Sequence, residues 1–386
     1  MNIEMLHLEQ GPIRPPSESR SLLLRLTRNC PWNQCLFCPV YKDRKFSRRP
    51  VAEILQDIQA ARDMVDDIQA LSRRLGSGGA VDNRVVSHIA GNSKYGRSYR
   101  SIAVWLYYGT SACFLQDADN LVLPTDDLVT ALTFLKEKFP EITRITTYAR
   151  SRSVTRKSPD ALARIRTAGL NRVHMGLETG CDPLLKFMKK GTTSAIHVEA
   201  GQKLIDAGME VSEYVMPGLG GQGMWREHAI ETARTLNQIN PHFIRLRSLQ
   251  IPERTALHQK RLSGDFVMQH DDQVVEEIRL FIEMLDGITS MVASDHIMNL
   301  LENVSGKLPE DKPAMLEAID AYQRLSDTER LIYRVGRRGS AFRSVDDFLT
   351  DTQTRQKLTS MIEKIQTSEG LDGVERFISN MTETYL

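Results

Sequence analysis

The sequence predicts an α/β fold, namely a partial (β/α)6 TIM-like barrel followed by an α-helical C-terminal domain. Between residues 21 and 255, short apolar runs typical of buried strands alternate with segments of helical periodicity. Two similar junctions, Ala168-Gly169-Leu170 and Ala207-Gly208-Met209, each close a helix before a strand, as stacked βα units require. Such alternation gives a parallel sheet with right-handed crossovers. Six units indicate an open barrel rather than a closed eight-stranded one.

The elements follow one another regularly along the chain. Strands are expected over residues 21–27, 112–116, 144–148, 172–177, 210–216 and 243–246. Helices are expected after Pro50, after Thr125 and Ser158 as N-caps, from about Ser194 and from Met224, and Gly169 follows the end of one of them. Beyond Gly264 the strand signal disappears, and helices are expected around residues 272–285, 288–303, 312–324, 328–335 and 352–365.

Four regions result from this assignment. Residues 1–20 form an irregular lead-in, 21–264 the barrel, and 265–386 the α-helical C-terminal domain. A glycine-rich basic insertion at about 75–99 fits either a solvated insertion or a substrate lid. Residues 102–108 are expected to end a helix, with Gly109 as its C-cap.

Composition excludes several classes of function. A net charge of +1 with 26% charged residues gives no global signature of a nucleic-acid or membrane-surface protein. No apolar run approaches the roughly 18 residues of a membrane span. The N-terminus carries Glu4 and Glu9 and no apolar signal core, so the expected location is cytoplasmic, without a membrane partner.

Three of the five cysteines, Cys30, Cys35 and Cys38, fall within nine residues. Thiolates this close can converge on one ion or cluster. Structural zinc normally has four protein ligands, whereas a [4Fe–4S] cluster held by three thiolates leaves one iron open to a small molecule. The spacing favours the cluster; zinc completed by a distant His and plain buried thiols are the alternatives. Cys113 and Cys181 are isolated and are expected to be buried thiols rather than ligands of a second cluster.

The cysteine loop resembles that of the radical S-adenosylmethionine (SAM) superfamily. It reads Cys30-x4-Cys35-x2-Cys38, has Phe37 before its last cysteine and follows a strand, although the common family pattern has three residues in its first gap. The segment from Gly176 to Gly180, followed by Lys190, resembles the fourth strand of relatives of the anaerobic coproporphyrinogen oxidases and methylthiotransferases. The segment from Met216 to Gly221 resembles their fifth-strand loop. The resemblance covers residues 20–255.

Chemically useful side chains are predicted at the carboxyl ends of the strands, where parallel βα folds collect ligands. They comprise the three cysteines after strand 1 and eight candidate cofactor-binding residues after the later strands: Asp117, Asn120, Tyr148, Ser151, Glu178, Met216, Gly218 and Arg247. By resemblance, Glu178 would contact the ribose or amino group of SAM. Asp117 stands where the family often has Gly-Gly-Glu and would contact the amino group.

The resemblance implies a radical SAM enzyme. Such an enzyme uses a [4Fe–4S] cluster to cleave SAM reductively, and the 5′-deoxyadenosyl radical that forms abstracts hydrogen from a substrate. A small-molecule substrate and an electron donor such as flavodoxin or ferredoxin are expected. No residue is singled out as catalytic, and the substrate cannot be named from the sequence.

Two other functions stay open. One is a non-enzymatic chaperone that binds haem or a cluster on the same barrel. The other is a tRNA-modifying radical SAM enzyme, supported only by the basic stretch from Arg73 to Arg100, while the near-neutral charge disfavours a nucleic-acid partner. In the C-terminal region, Ser294-Asp295-His296 is either a proton-transfer pair or a helix N-cap. Arg334, Arg337 and Arg338 either hold an anion or form a solvated basic helix end.

Overall fold

The computed structural model describes residues 6–383, which divide into two compact units. Unit 1 comprises the chain up to Asn33, Val40–Met175 and Glu199–Val211; unit 2 comprises Gln34–Pro39, Gly176–Val198 and the chain from Ser212 onwards. The strands are β1 (Leu22–Arg25), β2 (Thr27–Arg28), β3 (Ser47–Arg48), β4 (Ala112–Gln116), β5 (Arg144–Ala149), β6 (Leu170–Glu178), β7 (Glu210–Val215), β8 (Phe243–Leu246), β9 (Met291–Ala293) and β10 (Gly306–Lys307).

The helices of the barrel region are α1 (Val51–Arg74), α2 (Asn83–Ala90), α3 (Arg97–Tyr108), α4 (Thr125–Lys138), α5 (Ser151–Thr155), α6 (Pro159–Thr167), α7 (Asp182–Phe187), α8 (Ser194–Asp206), α9 (Gly221–Ile239) and α10 (Ala256–Leu262). Those that follow are α11 (Asp271–Met284), α12 (Lys312–Gln323), α13 (Asp327–Arg338), α14 (Val345–Thr350) and α15 (Thr352–Glu383). The predicted α/β partial-barrel class is confirmed, since β1 and β4–β10 belong to a mostly parallel sheet.

In unit 1, β1 pairs in parallel with β4, β4 with β5, and β5 with β6. Helices α1, α4 and α6 cover these strands because each presents an apolar stripe, as in α1, where Ile54, Ile58, Val65 and Ile68 are buried. A short antiparallel pair of β2 and β3 joins Thr27 to Arg48. The parallel register aligns the carboxyl ends of β1, β4 and β5.

In unit 2, β7 pairs in parallel with β8 and β8 with β9, and β10 adds an antiparallel edge. The core of this unit is built from Val215, Ile244, Phe281, Val292 and Tyr333, among others. Helix α15 is interrupted at Gly370, which has a φ of +71°.

Several predicted helix ends are confirmed. Ser158 caps α6 by accepting a hydrogen bond from the Ala161 N–H at 3.1 Å. Gly109 and Gly169 follow helices with φ values of +62° and +121°, which suit glycine. The Thr125 cap is wrong: Pro124 occupies the N-cap position and Thr125 opens the helix. The Thr125 hydroxyl instead accepts a hydrogen bond from Lys157 Nζ at 3.1 Å.

Two predicted segments differ more. The helix expected over residues 288–303 is wrong, because this stretch holds β9, whose Val292 is fully buried and pairs with Ile244. Burial of a valine is worth about 1.5–3 kcal/mol, more than the ~0.7 kcal/mol that separates ordinary helix propensities. The insertion at 75–99 is not irregular throughout, since it contains α2, capped by Asp82, and the start of α3. Across residues 6–383, no helix has both the length and the apolar character to cross a membrane.

Candidate functional site

The predicted site residues belong to both units, and each half is built by its own contacts. Cys30 belongs to unit 1, where Asn29 and Asn33 adopt positive φ values of 66° and 49°. Its Sγ accepts a hydrogen bond from the Asn33 N–H at 3.4 Å. The Asn33 amide donates to the Tyr41 carbonyl, and Lys42 Nζ donates to the Asn33 carbonyl at 2.9 Å. The first half of the cysteine loop is therefore a tight, internally bonded turn.

Asp117 is fully buried and organises this turn rather than facing solvent. Its Oδ2 accepts a hydrogen bond from Arg25 Nε at 2.6 Å and another from the Asn29 N–H at 3.4 Å. Its other oxygen packs on Gly11, where an added Cβ would lie 1.8 Å from Oδ1. Burial raises the pKa of Asp117, against the lowering effect of the Arg25 charge. Burial and the nearby Asp117 charge likewise raise the pKa of Tyr41.

Asn120 is also fully buried and joins three strands or strand ends. Its Oδ1 accepts a hydrogen bond from the Thr27 hydroxyl, and its amide nitrogen donates to the Leu115 carbonyl and the Thr147 hydroxyl, each at 2.9 Å. These bonds use both donors of the side chain. Asn120 therefore links the start of β2 to the carboxyl-terminal parts of β4 and β5.

The other predicted residues of unit 1 lie near the end of β5 and directly after it. The Tyr148 ring packs on Phe114 and His174, with ring centroids 5.1 and 5.7 Å apart, and Ser151 is buried at the start of α5. The sequence prediction missed Asp119, whose buried carboxylate accepts hydrogen bonds from the Ser153 hydroxyl at 2.6 Å and the Arg150 N–H at 3.3 Å. Burial raises the pKa of Asp119 to about 6. Asp119 lies more than 30 positions before Arg150 and Ser153, so no local spacing in the sequence indicates these contacts.

Cys35 and Cys38 belong to unit 2, where Leu36 anchors the loop between them. The Leu36 N–H donates to the Met188 carbonyl, and the Leu36 carbonyl accepts from the Leu257 N–H, both at 3.0 Å. Leu36 is buried in the same apolar cluster as Met188 and Leu257, which fixes this half of the loop on α7 and α10.

Glu178 ends β6 in a left-handed conformation, with a φ of +62°, which is costly for a residue other than glycine. Its carboxylate lies 3.0 Å from Lys190 Nζ, and both side chains are only 14% exposed. Lys190 also lies 5.7 Å from the Phe37 ring centroid. An added Cβ at Gly176 would lie 2.3 Å from Glu178 Oε1, so glycine at 176 leaves room for the ion pair.

The loop after β7 rests on a buried acid and a buried imidazole that the sequence prediction missed. The Gly218 N–H donates to Glu277 Oε1 at 2.9 Å, and the Met216 N–H donates to the Glu178 carbonyl at 3.0 Å. His228 Nε2 lies 3.1 Å from the Met216 carbonyl and 3.4 Å from Glu277 Oε1. Burial raises the pKa of Glu277 to about 8 and lowers that of His228 to about 4.

Arg247 follows β8 with an exposed side chain, and its N–H donates to the Val215 carbonyl at 2.9 Å. Burial and the Arg247 charge lower the pKa of His296 to about 4. The N-cap prediction for Ser294 and Asp295 is wrong, because the Ser294 hydroxyl donates to the Leu301 carbonyl in a loop and Asp295 pairs with Arg245.

The arginines of α13 do not form a solvated basic helix end, and each pairs with a carboxylate. Arg334 pairs with Asp271 and Glu375, Arg337 with Glu302, and Arg338 with Asp271. These contacts occupy the guanidinium groups that the sequence analysis considered for an anionic ligand. The arginines therefore serve the packing of the C-terminal helices.

The five cysteines fall into two environments. Cys30, Cys35 and Cys38 are partly exposed, whereas Cys113 and Cys181 are buried, and all five are free thiols. Burial raises the pKa values of Cys113 and Cys181, as expected of inert thiols. Among residues 6–383, no three His, Cys, Asp or Glu side chains are gathered as a metal-binding group, so the cluster site stays a prediction.

Residues 102–233 match the sequence model of the family described as the radical SAM superfamily. Among curated proteins, the tRNA uridine(34) acetyltransferase of Methanocaldococcus jannaschii is 27% identical over 111 residues, which are 28% of this chain and 20% of that protein. The enzyme of the same name from Methanocaldococcus infernus is 25% identical over 111 residues, 28% of this chain and 21% of that protein. The chain thus spans about a fifth of the length of these relatives.

Solved structures give a more distant similarity. Coproporphyrinogen III oxidase from Escherichia coli aligns over 73% of this chain and 54% of its own, with 15% identity and a TM-score of 0.45. Methylornithine synthase aligns over 77% and 68%, with 13% identity and a TM-score of 0.43. Enzymes of the radical SAM superfamily use a [4Fe–4S] cluster and SAM. The sequence similarity of this chain to the radical SAM superfamily is thus carried by residues 102–233.

Proposed function

We propose that the protein is a radical SAM enzyme whose [4Fe–4S] cluster is held by Cys30, Cys35 and Cys38. The observation that carries the proposal is the cysteine loop itself, with three partly exposed thiols in nine residues that follow β1 and β2. The family match begins at residue 102 and does not include this loop. The loop therefore supports the proposal independently of the match.

The donor set fits a cluster with one open iron. Three thiols without a fourth nearby cysteine leave a coordination position for a small molecule. The Asn33 N–H donates to Cys30 Sγ, so the turn holds this sulfur in place. When bound, the cluster supplies the electron for reductive cleavage of SAM to a 5′-deoxyadenosyl radical, which takes hydrogen from the substrate.

The remaining predicted residues divide into two roles. We assign contacts to SAM to Glu178, Met216, Gly218, Arg247, Tyr148 and Ser151, which follow the carboxyl ends of the strands. Asp117 and Asn120 are fully buried, and their hydrogen bonds fix Asn29 and the strand ends, so we assign to them the shaping of the cysteine loop. An electron donor such as flavodoxin or ferredoxin and a reducing, cytoplasmic location complete the proposal.

A Cys35→Ala variant tests the metal assignment, with Cys181→Ala as the matched control. After anaerobic reconstitution with iron and sulfide, the wild type and the control should show the broad visible absorbance of a cluster. With dithionite and SAM, both should release 5′-deoxyadenosine. Cys35→Ala should lose the absorbance and the product together.

Two results would contradict the proposal. A Cys35→Ala variant that keeps its colour would place the cluster elsewhere. A wild type that binds haem tightly but leaves SAM intact would favour the chaperone function.

A second candidate is a radical SAM enzyme that modifies tRNA. The observation that favours it is the name of the two curated relatives, both of which act on uridine 34 of tRNA. In this candidate the SAM chemistry is unchanged and the hydrogen is taken from a nucleotide. Release of 5′-deoxyadenosine that depends on added tRNA would distinguish it from an enzyme with a small-molecule substrate.

A further inference from the structure

Unit 1 contains an open cleft between the lead-in segment and α3, with about 760 Å³ of space that includes bulk solvent. Three arginines and three serines line it beside apolar side chains, namely Arg14, Arg97, Arg100, Ser19, Ser21 and Ser101. None of the described residues that line the cleft is an Asp or a Glu. The cleft is therefore suited to an anion.

The three arginines of the cleft are exposed, and within residues 6–383 they form no ion pair or hydrogen bond with a carboxylate. Other arginines of unit 1 are engaged, as when Arg28 and Arg49 bind Glu9. A surface face normally mixes the two signs of charge, so three unpaired guanidinium groups in one cleft are unusual for a chain with a net charge of +1.

Helix α3 extends this basic surface with aromatic rings. Arg97, Arg100, Val104, Tyr107 and Tyr108 recur at helical spacing and are all exposed, so they form one face of the helix. Tyr107 and Tyr108 are 40% and 45% exposed. The opposite face, which includes Tyr99, Ile102 and Ala103, is buried in the core.

An arginine also lies against one of the exposed rings. The Arg20 guanidinium carbon is 4.1 Å from the centroid of the Tyr108 ring, a cation–π contact at the end of the helix face. Guanidinium groups bind phosphates through paired N–H donors, and exposed aromatic rings stack on bases. A basic groove beside exposed rings is the combination that holds single-stranded nucleic acid.

From this arrangement we infer that the cleft and the exposed face of α3 bind a single-stranded nucleic acid. Phosphates are held by Arg14, Arg97 and Arg100, and unpaired bases stack on Tyr107 and Tyr108. A duplex buries its bases and would gain only the phosphate contacts. This inference revises the expectation, drawn from the near-neutral net charge, that a nucleic-acid partner is disfavoured.

Contacts within unit 1 link the cleft to the start of the cysteine loop. Gly11 lines the cleft and donates its N–H to Gln116 Oε1 at 3.0 Å, and its Cα packs on Asp117. Asp117 in turn accepts a hydrogen bond from Asn29, the residue before Cys30. A substrate role for the bound strand rests on the proposed function, whereas binding itself needs only the arginines and tyrosines.

The test is fluorescence anisotropy with a labelled single-stranded RNA of roughly 15 nucleotides, a length near the upper site size of common single-strand binders. Between about 50 and 200 mM KCl, three phosphate contacts should give a slope of log K against log salt near −2, at ~0.7 per contact. In Arg97→Glu/Arg100→Glu the affinity should fall at least tenfold, with a slope flatter by about 1.4. Tyr107→Ala/Tyr108→Ala should weaken binding about fivefold or more while keeping the slope.

The matched control is Arg254→Glu/Arg261→Glu, which makes the same charge change at exposed arginines around α10 and should retain wild-type affinity. Thermal unfolding of each variant checks that it is folded. Equal losses in the α3 variant and the control, tighter binding of a duplex of the same sequence, or binding of anionic lipid vesicles without RNA binding would overturn the inference. Cys35→Ala should bind RNA as the wild type does. The experiment therefore tests the RNA-binding site separately from the proposed cluster.

Discussion

At the scale of single residues, Gly176 and Glu178 together set the geometry at the end of β6. Glu178 has a left-handed backbone and a carboxylate paired with Lys190, and neither side chain is more than 14% exposed. A strained backbone beside a nearly buried ion pair is typical of functional sites. Because Gly176 has no side chain, it leaves room for this ion pair.

Replacement of Gly176 with Ala should move the Glu178 carboxylate away from Lys190, because the new Cβ would lie 2.3 Å from Oε1. We expect SAM affinity to fall roughly tenfold, about 1.4 kcal/mol, with only a small change in unfolding free energy. Calorimetric titration of the reconstituted protein with SAM measures this.

Gly223→Ala is the control, since Gly223 lies in α9 with nothing within 4 Å of an added Cβ. If Gly176→Ala binds SAM as tightly as this control, the assignment of Glu178 to the cofactor is wrong.

At the scale of residues, prediction from the sequence succeeded for features that depend on neighbouring residues. Ser158, Gly109 and Gly169 were identified correctly because a helix end depends on a few neighbouring residues. The partner of Asp117 was not identified, because Arg25 lies 92 positions away and spacing alone does not reveal the contact.

At the scale of elements, α9 and α11 support the loop after β7 through His228 and Glu277. The two side chains lie 3.4 Å apart, and Glu277 accepts the Gly218 N–H. Burial raises the pKa of Glu277 to about 8, so the folded protein holds this proton more tightly than the unfolded chain, where the carboxyl titrates near 4.5. The wild type should therefore lose stability from this group as pH rises from about 4.5 to about 8.

A Glu277→Gln variant should lack this loss. Relative to the wild type, its unfolding free energy should improve with pH by up to about 1.4 kcal/mol per unit across that window. His228, with its pKa lowered to about 4, acts in the opposite direction below about pH 6.5, so the two proteins are best compared between about pH 6.5 and 8. Urea unfolding at several pH values gives the comparison.

Glu276→Gln is the matched control on the same helix, because Glu276 is 52% exposed. A difference between Glu277→Gln and the wild type that does not vary with pH would mean that Glu277 is ionised in the folded protein.

Element-scale prediction was best for long or strongly patterned segments. The strands Ala112–Gln116 and Phe243–Leu246 were predicted with their observed bounds. The three-residue strand β9 was missed because its pairing with β8 comes from a segment about 50 residues earlier, and a short apolar run fits a helix equally well.

At the scale of the whole molecule, ion pairs connect the C-terminal helices of unit 2. Arg334 and Arg338 on α13 bind Asp271 at the start of α11, at 2.7 and 3.0 Å, and Arg334 also binds Glu375 on α15. Although burial opposes it, the charges of Arg338 and Arg334 lower the pKa of Asp271 to about 2. Three helices thus share one ionic network.

Asp271→Asn should lower the unfolding free energy by about 3 kcal/mol, because it leaves the Arg338 guanidinium, only 5% exposed, without its carboxylate. Denaturant unfolding at neutral pH measures the change. The exposed Asp286→Asn, on the loop after α11, should stay within about 0.5 kcal/mol of the wild type. Equal stability of the two variants would show that the network contributes nothing.

The class of the fold was predictable because only a few fold architectures accommodate strands and helices that alternate along the chain. The division into a barrel and a C-terminal domain at Gly264 stays a prediction. Strands β9 and β10 lie beyond that point. The candidate site was predictable only as a set of strand ends. Its acid and imidazole supports, Asp119, His228 and Glu277, come from pairings that only the folded chain creates.

The anchoring of the lead-in segment has a consequence for how the protein can evolve. Gln116 holds this segment through main-chain groups, donating to the Gly11 and Ile13 carbonyls and accepting from the Gly11 N–H. The side chains of the segment take no part in these three bonds. The exposed Arg14 side chain is therefore not needed for the path of the backbone, so a change at this residue can alter ligand preference at the cleft while the backbone stays in place.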